Sequence, residues 1–259
     1  MDDALAAGLQ RELGLQEIIA LSLRLYRAYP VLFAVLALGV VAPYALIELA
    51  VTGSGPLASS GGHSAALRTL FELLSITLTG PLISALHVHA VVAVAEGQPP
   101  RLARVASVGA RVLPVVAATE IIVNLGIGVG LLAFIVPGVL LLLRWSVAAQ
   151  AAAVEREGWL PALRSSADLT SGHYGHVLAV LLVVALVVAA VTLPVRAIPL
   201  GSTSGVGSVA LGIAVSTLAA SFGALTSAVL FFDLRARAKA PRPPRAPDFQ
   251  RPRDLVPSA

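Results

Sequence analysis

Six long apolar stretches fill most of this 259-residue chain, and they constrain its fold more than any other feature. A helix crosses the ~30 Å hydrocarbon core of a bilayer with about 20 apolar residues, and each stretch is close to that length. The sequence therefore predicts an all-α, polytopic integral membrane protein with six transmembrane helices. The predicted spans are 31–51, 69–95, 112–134, 138–154, 177–198 and 206–232. The third and fourth form a hairpin, for which a re-entrant pair remains an alternative to a full crossing.

The composition excludes an ordinary soluble protein. Charged residues make up 12% of the chain and apolar residues 57%, with a mean hydropathy of +0.88, whereas a soluble domain carries roughly 25% charged residues. We predict three regions: a cytoplasmic amphipathic segment over 1–30, a six-helix membrane domain over 31–233, and a disordered, basic, Pro-rich cytoplasmic tail over 234–259.

The orientation follows from lysine and arginine, which concentrate in alternate connections between spans. The side rich in these residues is normally cytoplasmic. Of the 18 cationic side chains, 15 lie on one side, while Arg68 and Arg196 lie on the other and Arg144 falls inside a span. Both termini are therefore predicted to be cytoplasmic. Seventeen arginines against one lysine, with abundant Ala and Val, are typical of a high-GC bacterium, so we expect a multi-pass protein of the bacterial inner membrane.

The cytoplasmic connections have the spacing of short amphipathic helices that lie in the headgroup region. One is predicted around 101–112, where three arginines recur at helical spacing. A second runs from Pro161 to Gly172, with Arg164 and Asp168 four residues apart and able to pair. A third precedes the first span, with Leu9 and Leu13 on its apolar side. Such helices most often only anchor a domain.

The basic residues that follow the last span are candidates for contact with lipid headgroups. Arg235, Arg237 and Lys239 lie directly after it, and such a cluster attracts anionic lipids at about 1 kcal/mol per charge. A topology signal without a specific lipid site is an equally good interpretation. Nucleic acid is not expected as a partner, because no nucleic-acid-binding motif accompanies the cluster.

Two ionisable residues inside the predicted hairpin are the strongest candidate site. An ionisable group is costly in hydrocarbon and normally faces protein or water. Glu120 lies in the third span and Arg144 in the fourth, so a salt bridge across the hairpin is geometrically plausible. One interpretation is a buried pair that locks the hairpin. The other is an anion or headgroup site in which Arg144 binds phosphate and Glu120 sets its orientation or protonation.

No catalytic, metal or cofactor site is predicted. His87 and His89 point about 200° apart around a helix, which suits a shared metal poorly. The glycines at 126, 128 and 130 lie within a span and lack the strand and turn of a dinucleotide loop, while Gly126 and Gly130 form a GxxxG packing pair. No Walker A, HExxH or GxSxG motif is present.

A set of residues concentrated over 137–172 forms a specific pattern. Its members are Pro137-Gly138, Leu141 to Arg144-Trp145, Glu155, Ala162-Leu163-Arg164-Ser165-Ser166, Asp168-Leu169-Thr170 and Gly172, with Glu17-Ile18 and Leu25-Tyr26 near the start. This pattern resembles that of a known family, the membrane domain found in some glycerophosphoryl diester phosphodiesterases and in many stand-alone bacterial proteins, and the similarity covers nearly the whole chain. The resemblance implies a six-helix membrane domain with no established activity of its own. The His-Arg-Gly start of the phosphodiesterase catalytic domain is absent.

These observations favour a non-enzymatic membrane protein that binds membrane lipids or a membrane protein partner, which includes a second copy of itself. The alternative is a small transporter or flippase-like protein for an anionic or lipid substrate, since the spans contain charges and prolines. A membrane enzyme ranks third, because no nucleophile is placed with a base.

Overall fold

The computed structural model describes residues 2–52, 65–75, 79–197 and 206–239, and the regular secondary structure of these residues is α-helical. This confirms the predicted all-α class. The helices are α1 Asp2–Gly8, α2 Leu15–Ala28, α3 Pro30–Thr52, α4 Ala65–Leu74, α5 Gly80–Ala95, α6 Leu102–Ala133, α7 Ile135–Arg144, α8 Ala148–Glu155, α9 Trp159–Thr170, α10 Tyr174–Ala197 and α11 Val206–Lys239. Most of the predicted basic tail, over 240–259, lies outside the described residues.

Five segments in the described part of the chain are long and apolar enough to cross a membrane. They are Pro30–Val51, Leu102–Ala133, Ile135–Glu155, Tyr174–Val195 and Val206–Lys239. Within the predicted span 69–95, the described residues form α4 up to Leu74 and α5 from Gly80, and 76–78 lie outside the described residues. Pro81 lies in the first turn of α5, where proline is tolerated. The 16 residues of α5 extend about 24 Å, less than the ~30 Å of a bilayer core.

The predicted amphipathic helix around 101–112 is not a separate element. It forms the first turns of α6, a continuous helix of 32 residues. Buried positions recur every three or four residues through both parts, because α6 packs one face along its length: Val105, Gly109, Val112, Val116, Thr119 and Val123. Since this buried stripe has no interruption, the packing that holds the later turns also holds the earlier ones.

The segment before the first span is part of the folded core. Leu9, Leu13 and Ile18 are almost fully buried, and α2 packs against α11. The apolar side predicted for this segment therefore contacts protein. The core that it joins also contains Phe33 from α3 and Phe231 from α11.

A break in the fourth apolar stretch positions α9. The chain turns over 145–147, between α7 and α8, which leaves the carbonyl of Arg144 outside a regular helix. The hydroxyl groups of Ser166 and Thr170 donate to this carbonyl at 3.0 and 3.2 Å. Both hydroxyl-bearing residues are fully buried, so α9 is held against the break by hydrogen bonds as well as by apolar contact.

The second predicted amphipathic helix, 161–172, corresponds to α9 with its bounds shifted to Trp159–Thr170. Pro161 lies in the first turn, and Gly172 follows the helix with a φ of +82°, a conformation that favours glycine. The predicted pairing of Arg164 with Asp168 is wrong: the described residues contain no ion pair between them, and both side chains are exposed. Exposed ion pairs gain little in water, so solvation of each charge competes well with the pair.

The α6–α7 hairpin packs closely through glycine. A Cβ built on Gly126 would lie 2.5 Å from the ring of Trp145, and one on Gly130 would lie 3.0 Å from the Cα of Gly138. The GxxxG pair therefore lies at the contact between the two helices. At the tip, Leu132 is 89% exposed and Phe134 75% exposed. Apolar exposure of this extent is rare on a soluble protein.

Candidate functional site

The predicted ion pair between Glu120 and Arg144 is not formed. The carboxylate of Glu120 accepts a hydrogen bond from the amide of Asn124 at 3.4 Å, and none of the four ion pairs among the described residues includes either Glu120 or Arg144. The side chain of Arg144 is exposed. Its backbone carbonyl contacts the protein interior, where it accepts hydrogen bonds from Ser166 and Thr170.

The register of the α6–α7 hairpin explains why the two charges do not meet. Gly126 faces Trp145, so the position opposite Arg144 on α6 lies close to Gly126. Glu120 lies six residues before Gly126 on α6, so it is offset from the position opposite Arg144 by about 9 Å along the helix axis. Spacing within each span could not supply this register, because it depends on where the hairpin turns.

The residues that carry the family resemblance are brought together only in part. Ser165 of α9 donates to the carboxylate of Glu155 at 2.8 Å, which ties the end of α8 to α9. Arg164 and Asp168 face outward on α9, and Gly172 serves as the stop after this helix. In this segment, the hydrogen bond between Ser165 and Glu155 therefore holds α8 and α9 together.

A buried carboxylate that sequence reasoning missed organises the end of α11. Asp233 is 0% exposed and accepts hydrogen bonds from the backbone N–H of Leu13 at 2.7 Å and from Nε of Arg237 at 2.9 Å. Nε2 of His176 lies 2.9 Å from Oδ2, the oxygen that Arg237 also contacts at 2.9 Å, and is the donor, since a carboxylate only accepts. Arg237 also donates to the carbonyl of Leu13. We call these four residues the Asp233 cluster; it joins the segment before α2 to the start of α10 and the end of α11.

The Asp233 cluster changes the picture of the basic tail. Arg237, predicted to contact lipid headgroups, is 18% exposed and bonded to protein. The guanidinium of Arg235 lies 5.4 Å from the ring centroid of Phe231, and Lys239 is exposed. The predicted disorder is also wrong for 235–239, because these contacts extend α11 to Lys239. The pair Asp233 and Arg237, four residues apart, was the available sequence signal.

A second buried polar contact links three helices. His87 is fully buried, its Nδ1 lies 2.8 Å from the carbonyl of Ile83, and its Nε2 lies 2.8 Å from the hydroxyl of Ser221. A carbonyl only accepts, so Nδ1 carries the proton and Nε2 accepts from Ser221. The ring stacks on Phe33 at 5.3 Å. His87 is therefore saturated by its own protein, and nothing in the sequence marks its partner 134 residues away.

Most arginines on the predicted cytoplasmic side lack a protein carboxylate. Among the described residues, ion pairs involve only Arg11, Arg237 and His176 as the cations. The arginines without one on that side are Arg24, Arg27, Arg101, Arg104, Arg111, Arg156, Arg164 and Arg235. Their charge is left for solvent or for an external anion.

In the described ranges, no group of three or more His, Cys, Asp or Glu side chains is placed to hold a metal ion. Comparison of the chain with family models, with curated proteins and with solved structures gives no match in any of the three.

Proposed function

We propose that this chain is a non-enzymatic, six-span protein of the bacterial inner membrane, with both termini cytoplasmic, that binds anionic phospholipid at its cytoplasmic face. Five of the spans correspond to the five long apolar segments. The sixth is α5, with α4 before it, and its buried His87 is hydrogen-bonded within the protein as a polar group in a membrane must be.

The observation that carries the proposal is the set of arginines without carboxylate partners. They lie in the connections that the positive-inside rule assigns to the cytoplasm, where anionic lipids attract basic side chains. The apolar surface of α6, α7 and α10 supplies the lipid-facing part of the protein. Arg144 adds an exposed guanidinium without an ion pair among the described residues.

The resemblance to the membrane domain of glycerophosphoryl diester phosphodiesterases supports the same proposal. The contact of Ser165 with Glu155 and the stop at Gly172 give the similar residues a structural role. A membrane domain of this kind is expected to handle lipid through binding. The exposed apolar helices also offer a surface to a membrane protein partner or to a second copy.

Cysteine labelling tests the topology, because the chain contains no native cysteine. Single cysteines at Ala103 and at Val206, which is 87% exposed, are placed on opposite sides by the proposal. In intact cells, a membrane-impermeant maleimide should label position 206 and spare position 103 until the membrane is opened. Labelling of position 103 from outside would overturn the orientation.

Native mass spectrometry tests the lipid binding. The full chain is released from nanodiscs that contain phosphatidylcholine and phosphatidylglycerol, and the retained lipid is identified. Retention enriched in phosphatidylglycerol supports the proposal, and release of lipid-free protein or of lipid in the bulk ratio contradicts it. The matched variant Arg144→Gln shows whether that guanidinium contributes.

Transport of an anionic or lipid substrate is the second candidate function, and Glu120 is the observation that favours it. This carboxylate lies within α6 and its hydrogen bond comes from Asn124 alone among the described residues. Intramembrane ionisable groups commonly mark substrate or ion pathways. Proteoliposomes that scramble a labelled phospholipid, and lose this activity in Glu120→Gln, would establish transport; no scrambling by the wild type would remove it.

A further inference from the structure

A small pocket lies where α5, the connection to α6 and the end of α8 meet. Its volume is about 190 Å³, and six polar or charged side chains line it: His89, Glu96, Gln98, Arg101, Arg104 and Arg156. At about 30 Å³ per water molecule, it holds roughly six waters, enough for one small anion with part of its hydration.

The charge in this pocket is strongly positive and is not balanced by the protein. Three guanidinium groups line it, and none of them belongs to an ion pair in the described part of the chain. Arg104 donates to the side-chain carbonyl of Gln98 at 3.0 Å, a neutral acceptor that leaves the charge in place. The single acid of the lining, Glu96, is exposed and unpaired.

A buried nitrogen provides a second and independent observation. Nε2 of His89 is inaccessible to solvent and has no hydrogen-bond partner among the described residues. Buried polar atoms of native proteins are rarely left in this state, and an absent ligand or water is the usual explanation. His89 lies on α5 two residues from His87, whose two nitrogens are both satisfied.

We propose that this pocket binds a phosphate-bearing anion, held by the guanidinium groups of Arg101, Arg104 and Arg156 with Nε2 of His89 as a further hydrogen-bonding atom. Guanidinium binds phosphate oxygens through two parallel hydrogen bonds, which makes arginine the usual residue of such sites. The phosphate of a lipid headgroup is the favoured source, an identification that rests on the proposed function, and free phosphate shares the chemistry.

The test uses the full chain in nanodiscs with phosphatidic acid as the anionic lipid in phosphatidylcholine. The variants are the double substitution Arg101→Gln with Arg104→Gln, and the control Arg11→Gln, which removes an exposed arginine that lies outside the pocket and already pairs with Glu17. Native mass spectrometry measures retained phosphatidic acid, and calorimetry measures inorganic phosphate binding in phosphatidylcholine alone. Both pocket arginines are exposed, so the double variant should fold normally.

Loss of phosphatidic acid retention by at least roughly tenfold in the double variant, with Arg11→Gln like the wild type, supports the proposal. Competition by inorganic phosphate would strengthen it. Equal retention by all three proteins overturns the pocket and leaves the proposed function standing. Arginine-dependent binding of inorganic phosphate without lipid retention supports the pocket and overturns the lipid function. Absence of both kinds of binding overturns both.

Discussion

The Asp233 cluster and the His89 pocket are two groupings of basic side chains that differ in how their charge is balanced. At the end of α11, Asp233 lies fully buried among donors from three parts of the chain. Around His89, three guanidinium groups surround a cavity without an ion pair to any described carboxylate. In the first grouping a protein carboxylate balances the basic charge, whereas in the second the guanidinium groups are free to pair with an external anion.

The difference indicates separate roles. A charge that is paired and hydrogen-bonded in the interior holds elements together, because removal of one partner leaves the other buried and uncompensated. Exposed charges around a cavity add little to stability, so their arrangement is available for binding. The Asp233 cluster is expected to determine whether the chain stays folded. The His89 pocket is expected to determine which ligand the chain binds.

The largest effect is expected from Asp233→Asn. This change removes the carboxylate charge that pairs with Arg237 and accepts a hydrogen bond from His176, at a cost of about 3–5 kcal/mol in the free energy of unfolding. Denaturant unfolding in a mild detergent measures it. The control is Glu12→Gln, whose carboxylate is half exposed and 3.7 Å from Arg237, with an expected loss below about 1 kcal/mol. Similar losses in the two variants would contradict a structural role for the cluster.

A matched pair of arginine substitutions sharpens the comparison. Arg237→Gln removes charge-assisted hydrogen bonds to Asp233 and to the carbonyl of Leu13, and should cost about 1.5–3 kcal/mol of stability. Arg104→Gln, in the pocket, should stay within about 0.5 kcal/mol of the wild type. The same unfolding titration applies to both, and an equal loss would show that the two groupings do not differ in role.

The comparison can also be broken by adding a second acid to the pocket, within reach of its arginines. Gln98→Glu places a carboxylate where the side-chain carbonyl of Gln98 now accepts from Arg104. Anion affinity is expected to fall by roughly tenfold because an internal charge competes with the ligand, while stability changes by less than about 1 kcal/mol. Phosphate calorimetry checks this, and unchanged affinity would argue against arginine recognition of the anion.

The smallest effect is expected from Glu17, in an exposed pair. The backbone N–H of Gly14, and then Arg11, bind its carboxylate and hold the pKa of Glu17 below its usual 4.5. A lowered pKa in the folded state stabilises the start of α2 above pH 4.5, and this contribution is lost as pH falls through the lowered value. Amide exchange at Gly14 should lose protection over that range in the wild type, and Glu17→Gln should remove the dependence.

The sequence predicted the helical class because apolar length and periodicity are local properties. The same rules placed the start of α9 near Pro161 and its stop at Gly172. They failed at 101–112, where continuous packing against α5 overrode a boundary drawn from charge.

The candidate sites were harder to predict because they depend on tertiary register. Glu120 lies 14 residues before the turn at Phe134 and Arg144 lies 10 residues after it, so the two charges are offset along the hairpin. The partners of Asp233 come from residues 13, 176 and 237, and only the last is close enough in sequence to suggest itself. The His89 pocket draws Arg156 from a different connection than Arg101 and Arg104, which pattern analysis has no means of joining.

The backbone conformation of Arg156 favours glycine over arginine. This residue follows α8 with a φ of +57°, a left-handed conformation that favours glycine and costs other residues about 1–2 kcal/mol. Arg156→Gly should therefore raise stability while it removes a guanidinium from the pocket. Selection for stability and selection for ligand binding thus favour opposite residues here, and a descendant that no longer needed the anion would gain by exchanging this arginine for glycine.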